Sequence, residues 1–321
     1  MKLATLANGR PDGRLVIVSP DGERYAGAEA IAPTLQDALE RWDAVEPALR
    51  ALADELAAGG GDPLAGEALE APLPRAWQWL DGSAFPNHGV LMQRAYNAPP
   101  IETELPLMYQ GMSHCFLAPT ADVPLPDEAH GIDFEGEFGV ITAAVPMGTS
   151  AADAAALIRL VVQINDWSLR TLAGPEMKTG FGWVQAKPAC SMAPVAVTPD
   201  ALGAAWAEGR VCLPLEVQWN GEPFGRARGD AMAVSFPELV AHAARTRALP
   251  AGTIIGSGTV ANVDYREVGS SCIAERRAIE MIEQGAPVTG FMRFGDRVRM
   301  EARGVDGAPL FGVIDQRVVK G

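Results

Sequence analysis

The stretch Phe134-Glu135-Gly136-Glu137-Phe138 predicts a β-strand with one apolar face and one acidic face. Side chains alternate between the two faces of a strand, so Glu135 and Glu137 point the same way and the two phenylalanines point into the core. Gly136 adds no bulk to the apolar face, although glycine normally weakens a strand interior. Two neighbouring carboxylates repel each other unless positive charge lies between them. The stretch therefore indicates a cation held beside a core strand.

A second string, N-D-W-S-L-R at positions 165–170, adds the carboxylate of Asp166 and an arginine. Upstream of it, Ser150 and Asp153 have the spacing of a helix cap, and the apolar residues within 157–164 recur with helical spacing. We therefore expect a helix that delivers Asp166 at its C-terminal end. Several carboxylates without sulfur or imidazole are the oxygen ligands that a hard divalent cation prefers. The two motifs together predict an Mg²⁺ or Ca²⁺ site that is used for chemistry.

The bulk properties exclude several classes of partner. The chain has 321 residues and a formal net charge of −14, whereas nucleic-acid binding needs an excess of Lys and Arg. The same charge disfavours an anionic membrane surface, and no apolar run reaches the roughly 20 residues that span a bilayer. The first nine residues are too short and too soon interrupted for a signal peptide. The four scattered cysteines are typical of reduced thiols, so we expect a cytoplasmic protein.

The N-terminal part of the chain has the pattern of a small α+β domain. Residues 1–30 alternate short apolar runs with turn sequences, which predicts a β-meander. Thr34 is placed to cap a helix, in which Pro47 predicts a kink or a break. The glycine-rich segment 59–63 ends that helix and begins a linker. We therefore place a small domain at residues 1–70.

The remaining residues, 71–321, have the pattern of a second domain with a mostly β core. Asn220-Gly221 between two apolar runs predicts a hairpin turn. Ser235 opens a capped helix that is expected to run to about Leu249. Short strands are expected near the C-terminus, at residues 253–255, 297–302 and 310–319.

Three further segments carry polar side chains suited to catalysis. His88 follows Asp81 by seven residues, after a Pro-Asn helix-start signal, but taken alone it is better explained as a surface residue at a helix N-terminus. The segment 256–259, Gly-Ser-Gly-Thr, offers N–H and O–H donors to an anion, yet it equally suits a loop between strands. Lys187 lies in an apolar, glycine-rich run, where a lysine is either buried and paired or extends to solvent. Only in combination do these segments favour a functional site.

In combination these motifs resemble the fumarylacetoacetate hydrolase family, from about Gln78 to the C-terminus. The E-x-E strand and the N-D-W-S-x-R string are the most specific features, and the first seventy residues resemble the N-terminal domain of longer members only loosely. The resemblance implies an α+β, mainly β fold, a mixed β-sandwich roll with a small N-terminal α+β domain. It also implies a divalent cation, Mg²⁺ or alternatively Ca²⁺ or Mn²⁺, and a homodimer formed through the core domain.

The resemblance assigns roles to individual residues of this sequence. The metal ligands correspond to Asp81, Glu135, Glu137 and Asp166. The catalytic residues correspond to His88 as general base, Glu275 as the residue that orients it, and Lys187. The substrate contacts correspond to Arg170, Tyr109 and Thr259.

Two positions depart from the pattern of fumarylacetoacetate hydrolases proper. Those proteins have a glutamine three positions after the arginine of the N-D-W-S-x-R string, where this chain has Ala173. They have a tyrosine two positions after the first metal-binding aspartate, where this chain has Ser83. Both positions shape the substrate pocket. The departures therefore leave the identity of the substrate undetermined, whereas the expected metal and reaction class are unaffected.

The resemblance implies a metal-dependent hydrolase that cleaves the C–C bond of a small anionic 1,3-diketo acid in aromatic-compound catabolism. Within the same family, a decarboxylase, hydratase or isomerase would use a metal-bound enolate without an activated water. A protein of another class would hold the cation only to stabilise its fold. His88 and Glu275 favour hydrolysis over both alternatives, because neither a structural ion nor simple enolate chemistry needs a base for water.

Overall fold

The computed structural model of the chain describes residues 1–97, 99 and 103–321. Its strands are β1 (Lys2–Leu6), β2 (Arg14–Val18), β3 (Arg24–Gly27), β4 (Asp62–Pro63), β5 (Trp79–Gly82), β6 (Met108–Gly111), β7 (Val123–Leu125), β8 (Ile132–Asp133), β9 (Gly136–Thr142), β10 (Ile158–Asn165), β11 (Ser168–Leu169), β12 (Ser191–Met192), β13 (Val195–Val197), β14 (Trp206–Ala207), β15 (Arg210–Val211), β16 (Pro214–Trp219), β17 (Glu222–Arg228), β18 (Ile254–Gly256), β19 (Arg297–Arg303) and β20 (Pro309–Lys320). Its α-helices are α1 (Leu35–Glu40), α2 (Trp42–Ala57), α3 (Pro86–Tyr96), α4 (Ala151–Ala155), α5 (Arg170–Thr179), α6 (Phe236–Ala243), α7 (Tyr265–Val268) and α8 (Ile273–Gln284). Short 3₁₀ helices lie at Glu128–His130, Pro199–Ala205 and Gly229–Ala231.

An eleven-stranded sheet lies at the centre of the molecule. Its strand order is β4-β3-β2-β1-β13-β10-β9-β18-β5-β6, and β12 pairs with β10 off this path. Among its described strands only β18 and β5 run parallel to each other. The predicted β-meander is confirmed as β1, β2 and β3, and it joins the rest of the sheet through the antiparallel pair β1–β13. The N-terminal strands therefore extend the sheet that carries the acidic strand.

A second, five-stranded sheet has the order β17-β16-β19-β20-β7. The predicted hairpin between β16 and β17 is confirmed, with Asn220 at φ 52° and Gly221 at φ 84°. A two-residue hairpin turn requires both residues in this left-handed region, which Asn and Gly enter at the lowest cost. The strands expected near the C-terminus are confirmed as β18, β19 and β20.

The central sheet buries side chains on both faces. On one face of β9, Phe138 lies in the same core cluster as Phe311 of the second sheet, with ring centroids 6.0 Å apart. On the other face, Ile141 belongs to a cluster with Leu35 of α1 and Leu49 of α2. The order of layers is thus N-terminal helices, central sheet, second sheet. The predicted fold, α+β and mainly β with a small N-terminal part, is confirmed.

The prediction of a helix that leads to Asp166 is confirmed only at its start and is wrong for the residues that follow. Ser150 caps a helix as predicted, but that helix, α4, ends at Ala155. Residues 158–165 form the strand β10, which pairs with β9 along its length. A strand buried on both faces is apolar nearly throughout, so its residues also match helical spacing. The abundance of β-branched Ile and Val was the signal that favoured a strand.

Two smaller expectations are corrected as well. Thr34 caps α1 by accepting a hydrogen bond from the backbone N–H of Asp37. The break in this helical segment lies at Arg41, between α1 and α2, whereas Pro47 lies inside α2. The helix capped by Ser235 is α6, which ends at Ala243 rather than near residue 249.

Candidate metal centre

Adjacent strands of the central sheet bring the candidate side chains to one region. Asp81 of β5 lies opposite Tyr109 of β6 and beside Gly256 of β18. The next strand, β9, carries Glu137 and pairs with β10, whose last residue precedes Asp166. Sheet pairing therefore collects groups that are far apart in the sequence.

Asp81, Glu137 and Asp166 form a group of three buried carboxylates. One oxygen of each residue lies within 4.8 Å of the others. No donor group of the described residues reaches either oxygen of Glu137, although both oxygens are fully buried. Burial, followed by repulsion from Asp81 and Asp166, raises the pKa of Glu137 well above its usual value. Burial and then the charge of Asp166 raise the pKa of Asp81 in the same way.

These observations fit a divalent cation at the three carboxylates. A buried carboxylate without a hydrogen-bond donor or counter-ion is costly, and a cation among the three removes that cost. The group offers only oxygen atoms, which are the ligands that Mg²⁺, Ca²⁺ and Mn²⁺ prefer.

The loop after β18 shapes the space around Asp81. A Cβ atom on Gly256 would lie 2.2 Å from Oδ1 of Asp81, so a side chain at this position would displace the carboxylate. The backbone N–H of Gly258, a residue with φ 77°, donates a hydrogen bond of 3.1 Å to the same oxygen. The glycine-rich segment thus supplies a hydrogen-bond donor, as the sequence indicated. In the described structure this donor binds the carboxylate of Asp81.

Beside the three carboxylates lies a chain of ion pairs. Lys187 Nζ lies 2.8 Å from Oε1 of Glu135 and 2.5 Å from Oδ2 of Asp166. Arg170 contacts Glu135 through Nη2 at 2.8 Å and Asp133 through Nε at 2.7 Å. Burial alone would raise the pKa of Glu135, but Arg170, Lys187 and His88 lower it well below its usual value. Glu135 is therefore ionised and paired, in contrast to Glu137.

The two basic residues remain cations. Burial alone would lower the pKa of Lys187, but Asp166 and Glu135 more than offset this effect and raise it. The pKa of Arg170 is raised in the same way by Glu135 and Asp133. Lys187 can therefore donate hydrogen bonds or stabilise negative charge, but it cannot act as a base.

Every polar residue of the N-D-W-S-L-R string supports this arrangement. Asn165 Oδ1 accepts a hydrogen bond of 3.0 Å from the backbone N–H of Glu135. Ser168 Oγ donates a hydrogen bond of 2.6 Å to Oε1 of Glu135. Trp167 is fully buried, and its Nε1 donates to Oγ of Ser191 at 3.0 Å. The string is thus a frame that fixes the acidic strand and places Asp166.

His88 and Glu275 form the predicted pair. His88 lies in the first turn of α3, after Pro86 at the helix start, and Glu275 lies in the first turn of α8. Nδ1 of His88 is 3.2 Å from Oε2 of Glu275, whose side chain is fully buried. A carboxylate at this nitrogen fixes the tautomer and the orientation of the ring. Cys272, three residues before Glu275, forms an isolated β-bridge with Glu135. The His88–Glu275 pair therefore lies beside the carboxylate centre, which is formed by Asp81, Glu135, Glu137 and Asp166.

The two remaining predicted substrate contacts hydrogen-bond to acids of the centre. Tyr109 Oη donates a hydrogen bond of 2.6 Å to Oδ2 of Asp166. Burial and then the charge of Asp166 raise the pKa of Tyr109, so its hydroxyl stays protonated. Thr259 Oγ1 donates to Oε2 of Glu135. Both hydroxyls line the region between the acids, and their contact with substrate stays a prediction.

Two residues that the sequence analysis did not single out belong to this centre. Asp133 accepts hydrogen bonds of 2.7 and 2.9 Å from the backbone N–H groups of Ile273 and Ala274 at the start of α8. It therefore links the helix of Glu275 to Arg170. Asp133 continues the two-residue spacing of Glu135 and Glu137, and this pattern could have indicated that it belongs to the same centre. Cys190 Sγ donates a hydrogen bond of 2.9 Å to Oδ1 of Asp166, and no sequence pattern indicated that contact.

The chain matches two sequence models of one family. Residues 78–319 match the model described as Fumarylacetoacetate (FAA) hydrolase C-terminal. Residues 1–75 match the model described as Fumarylacetoacetase N-terminal domain 2. No curated protein sequence matches the chain.

Several solved structures share the fold over the full length of the chain. The maleylpyruvate hydrolase of Sphingobium sp. SYK-6, solved with manganese(II) and pyruvate, is 18% identical, with a TM-score of 0.68 and 100% of both chains covered. A probable 2-hydroxyhepta-2,4-diene-1,7-dioate isomerase from Mycobacterium abscessus is 18% identical, with a TM-score of 0.70 and 100% of this chain and 99% of that chain covered. The 5-carboxymethyl-2-hydroxymuconate delta-isomerase from Mycobacterium smegmatis is 19% identical, with a TM-score of 0.63 and the same coverage. At these identities the likeness shows the fold, which hydrolases and isomerases share.

No helix within the described residues is both long enough and apolar enough to cross a membrane.

Proposed function

The chain belongs to the fumarylacetoacetate hydrolase family, and on that premise we propose that it hydrolyses the C–C bond of a 1,3-diketo acid in a metal-dependent reaction. The substrate class is that of fumarylacetoacetate and the acylpyruvates. The observation that carries the proposal is the partly buried His88–Glu275 pair beside the carboxylate centre, with Nδ1 and Oε2 3.2 Å apart. Hydrolysis needs a base that takes a proton from water, whereas reactions that only form a metal-bound enolate do not.

Asp81, Glu137 and Asp166 would hold the cation, with Glu135 as the fourth ligand that the family resemblance implies. When bound, a divalent cation polarises a carbonyl oxygen and stabilises an enolate. The three carboxylates supply the negative charge that such an ion needs, and their burial excludes the water that would weaken the interaction. Mg²⁺ is the first candidate, and Ca²⁺ and Mn²⁺ are the alternatives.

His88 is the proposed general base. Its ring is 19% exposed, so water reaches it, whereas its partner Glu275 is fully buried. Glu275 holds the proton on Nδ1, which leaves Nε2 free to accept a proton from water. The helix N-terminus of α8, fixed by Asp133, keeps Glu275 in place.

Lys187 is the proposed stabiliser of negative charge on the substrate. It stays protonated between Glu135 and Asp166, and its Nζ lies 5.5 Å from the centre of the Tyr109 ring. A fixed cation aimed at a developing oxyanion lowers the barrier without reorganisation at the moment of reaction. Arg170 and Thr259 are proposed to help bind the acidic substrate, and both are close to Glu135.

The test follows the ultraviolet absorbance of the diketone enol in fumarylacetoacetate, fumarylpyruvate and acetylpyruvate, with Mg²⁺ or with EDTA. We expect Mg²⁺-dependent decay of at least one compound. His88→Ala should slow that decay about 10²–10⁴-fold while Mg²⁺ affinity is retained. His114→Ala is the matched control, because His114 is an exposed histidine.

Two outcomes contradict the proposal. Full activity of His88→Ala would mean that the base lies elsewhere. If no compound decays while calorimetry shows that Mg²⁺ binds, the enzyme instead catalyses isomerisation, hydration or decarboxylation, and Ser83 and Ala173 become the first positions to examine.

A further inference from the structure

A third potential ligand lies beside His88 and Glu275. Ligand atoms of His88, Cys272 and Glu275 all lie within 4.8 Å of one another. The proposed hydrolysis uses the histidine and the glutamate but gives no role to the thiol. Cys272 is fully buried and is the N-cap residue of α8, where its Sγ accepts a hydrogen bond of 3.4 Å from the backbone N–H of Glu275.

Only one of the two oxygens of the buried Glu275 carboxylate has a hydrogen-bond partner among the described residues. Its Oε2 is 3.2 Å from the His88 ring, whereas its buried Oε1 has no hydrogen-bond partner among the described residues. A buried oxygen without a donor is costly, so this atom points to a partner that binds there. The unpartnered oxygen is an observation independent of the clustering of the three residues.

We propose that His88, Cys272 and Glu275 form a second metal site, selective for a thiophilic divalent ion such as Zn²⁺ or Cd²⁺, and that its occupation blocks catalysis. One nitrogen, one sulfur and one oxygen are ligands for these ions rather than for Mg²⁺. Three protein ligands leave a fourth position of a tetrahedral site for water. This site shares no residue with the group of Asp81, Glu137 and Asp166, whose clustered ligand atoms are all oxygens.

The geometry needs little change to accept the ion. Two ligands of one tetrahedral zinc ion lie roughly 3.4 Å apart, given metal–ligand bonds of about 2.1 Å. The separation of 3.2 Å between Nδ1 of His88 and Oε2 of Glu275 is already close to that value. A carboxylate that binds the ion through both oxygens would also give the unpartnered Oε1 a partner. Cys272 must approach by about 1.4 Å at most, because the three ligand atoms lie within 4.8 Å. The partly exposed ring of His88 gives an ion a way in from solvent.

The charges also balance. Binding forms a sulfur–metal bond and releases the thiol proton to solvent, without a change in oxidation state. The ion takes the place of the proton on Nδ1 of His88, so the ring proton moves to Nε2 and the imidazole stays neutral. A thiolate, a carboxylate and a neutral imidazole then neutralise the two positive charges of the ion. The His88 ring nitrogen or the Glu275 oxygen that supports base catalysis is occupied by the metal. The inhibitory consequence rests on the proposed function, whereas the binding does not.

The experiment titrates the Mg²⁺-saturated protein with Cd²⁺ and follows the ultraviolet charge-transfer absorbance of a cadmium–thiolate bond. We expect one Cd²⁺ per chain, a thiolate band, and loss of hydrolytic activity in parallel. Cys272→Ser should remove the band and weaken Cd²⁺ binding by at least about tenfold. Serine keeps the helix cap, so this variant should fold, and its melting temperature in Mg²⁺ verifies that.

Cys212→Ser is the matched control, because Cys212 is a free cysteine outside both clusters, and it should keep the band. His88→Ala should weaken Cd²⁺ binding but keep a thiolate band of lower affinity. A band that persists in Cys272→Ser and disappears in Cys190→Ala would locate the ion at the carboxylate centre and overturn the inference. Because the band is measured without substrate, failure of this site and failure of the hydrolase proposal are distinguishable.

Discussion

Two neighbouring sets of buried acids in this protein are stabilised in opposite ways. Asp133 and Glu135 are paired with Arg170 and Lys187 and accept further hydrogen bonds from backbone and hydroxyl groups. Glu137, two residues further along the same acidic face, has no donor at either oxygen in the described structure. The pKa of Glu135 is lowered, whereas the pKa of Glu137 is raised.

The two sets of acids differ in how their charge is compensated. A buried charge that is paired and hydrogen-bonded holds strands and helices in register. A buried charge that is left without a partner is retained at a cost in stability, and buried sites of this kind concentrate where chemistry occurs. Glu135 and Glu137 are alike in sequence context, so only their surroundings decide that the protein itself compensates the first acid and leaves the second without a partner in the described structure.

The largest expected effect is a difference in stability between Glu135→Gln and Glu137→Gln, measured in EDTA by urea unfolding. Glu135→Gln leaves Lys187 and Arg170 short of a counter-ion, and breaking a buried pair costs about 3–5 kcal/mol. Glu137→Gln replaces an acid that is costly to ionise with a neutral side chain of the same shape, so its free energy of unfolding should lie within about 1 kcal/mol of the original protein or above it. Equal destabilisation by the two substitutions would contradict the conclusion that the protein compensates the charge of Glu135 but not that of Glu137.

The same variants test the ligand assignment by calorimetric titration with Mg²⁺. Glu137→Gln should weaken Mg²⁺ binding strongly, because it removes one of the three clustered carboxylates. A comparable loss in Glu135→Gln would place Glu135 among the ligands, as the family resemblance implies. Unchanged affinity in both variants would exclude the carboxylate centre as the metal site.

The next effect is a dependence of stability on pH that Mg²⁺ removes. In EDTA, the raised pKa values of Glu137 and Asp81 mean that the folded protein binds more protons than the unfolded chain above about pH 5. Stability should then fall as pH rises, by about 1.4 kcal/mol per pH unit for each extra proton bound. Bound Mg²⁺ replaces these protons, so the slope should become much smaller at saturation. A residual slope is expected from Asp133, because burial raises its pKa and it lies outside the three clustered carboxylates.

Urea unfolding at several pH values between about 5.5 and 8, with EDTA or saturating Mg²⁺, measures this slope. Glu135 does not contribute over this range, because its lowered pKa makes its stabilisation constant above the pKa of the unfolded chain. Glu137→Gln should reduce the slope in EDTA. Stability that rises with pH in EDTA would contradict the assignment.

The smallest expected effect concerns Cys190, whose thiol donates to Asp166 at 2.9 Å. Cys190→Ala should weaken Mg²⁺ binding by roughly tenfold, because residues that hold a ligand in place typically contribute that much. Cys190→Ser is the matched control, since a hydroxyl retains the donor. Equal Mg²⁺ affinity in the alanine and serine variants would show that the thiol only fills space.

Much of this centre could be predicted from the sequence because its motifs are short and local. The E-x-E spacing of Glu135 and Glu137 and the spacing from Asp81 to His88 required no long-range information. The predicted strand through both glutamates is confirmed only from Gly136, where β9 begins, so Glu135 lies just before it. The helix expected before Asp166 was wrong because an apolar run that is buried on both faces has no distinctive period. Cys190 could not be placed, since a lone cysteine carries no signal of its partner.

The sequence by itself determined that the chain folds with a mainly β core and carries several acids that require compensation. Only the tertiary structure decided which acids are compensated by the protein. Arg170 and Lys187 reach Glu135 but leave Glu137 without a partner, because sheet pairing and the helix start at Asp133 fix where each cation lies. Charge compensation is a property of distances of a few ångströms, and such distances between residues remote in sequence exist only after folding.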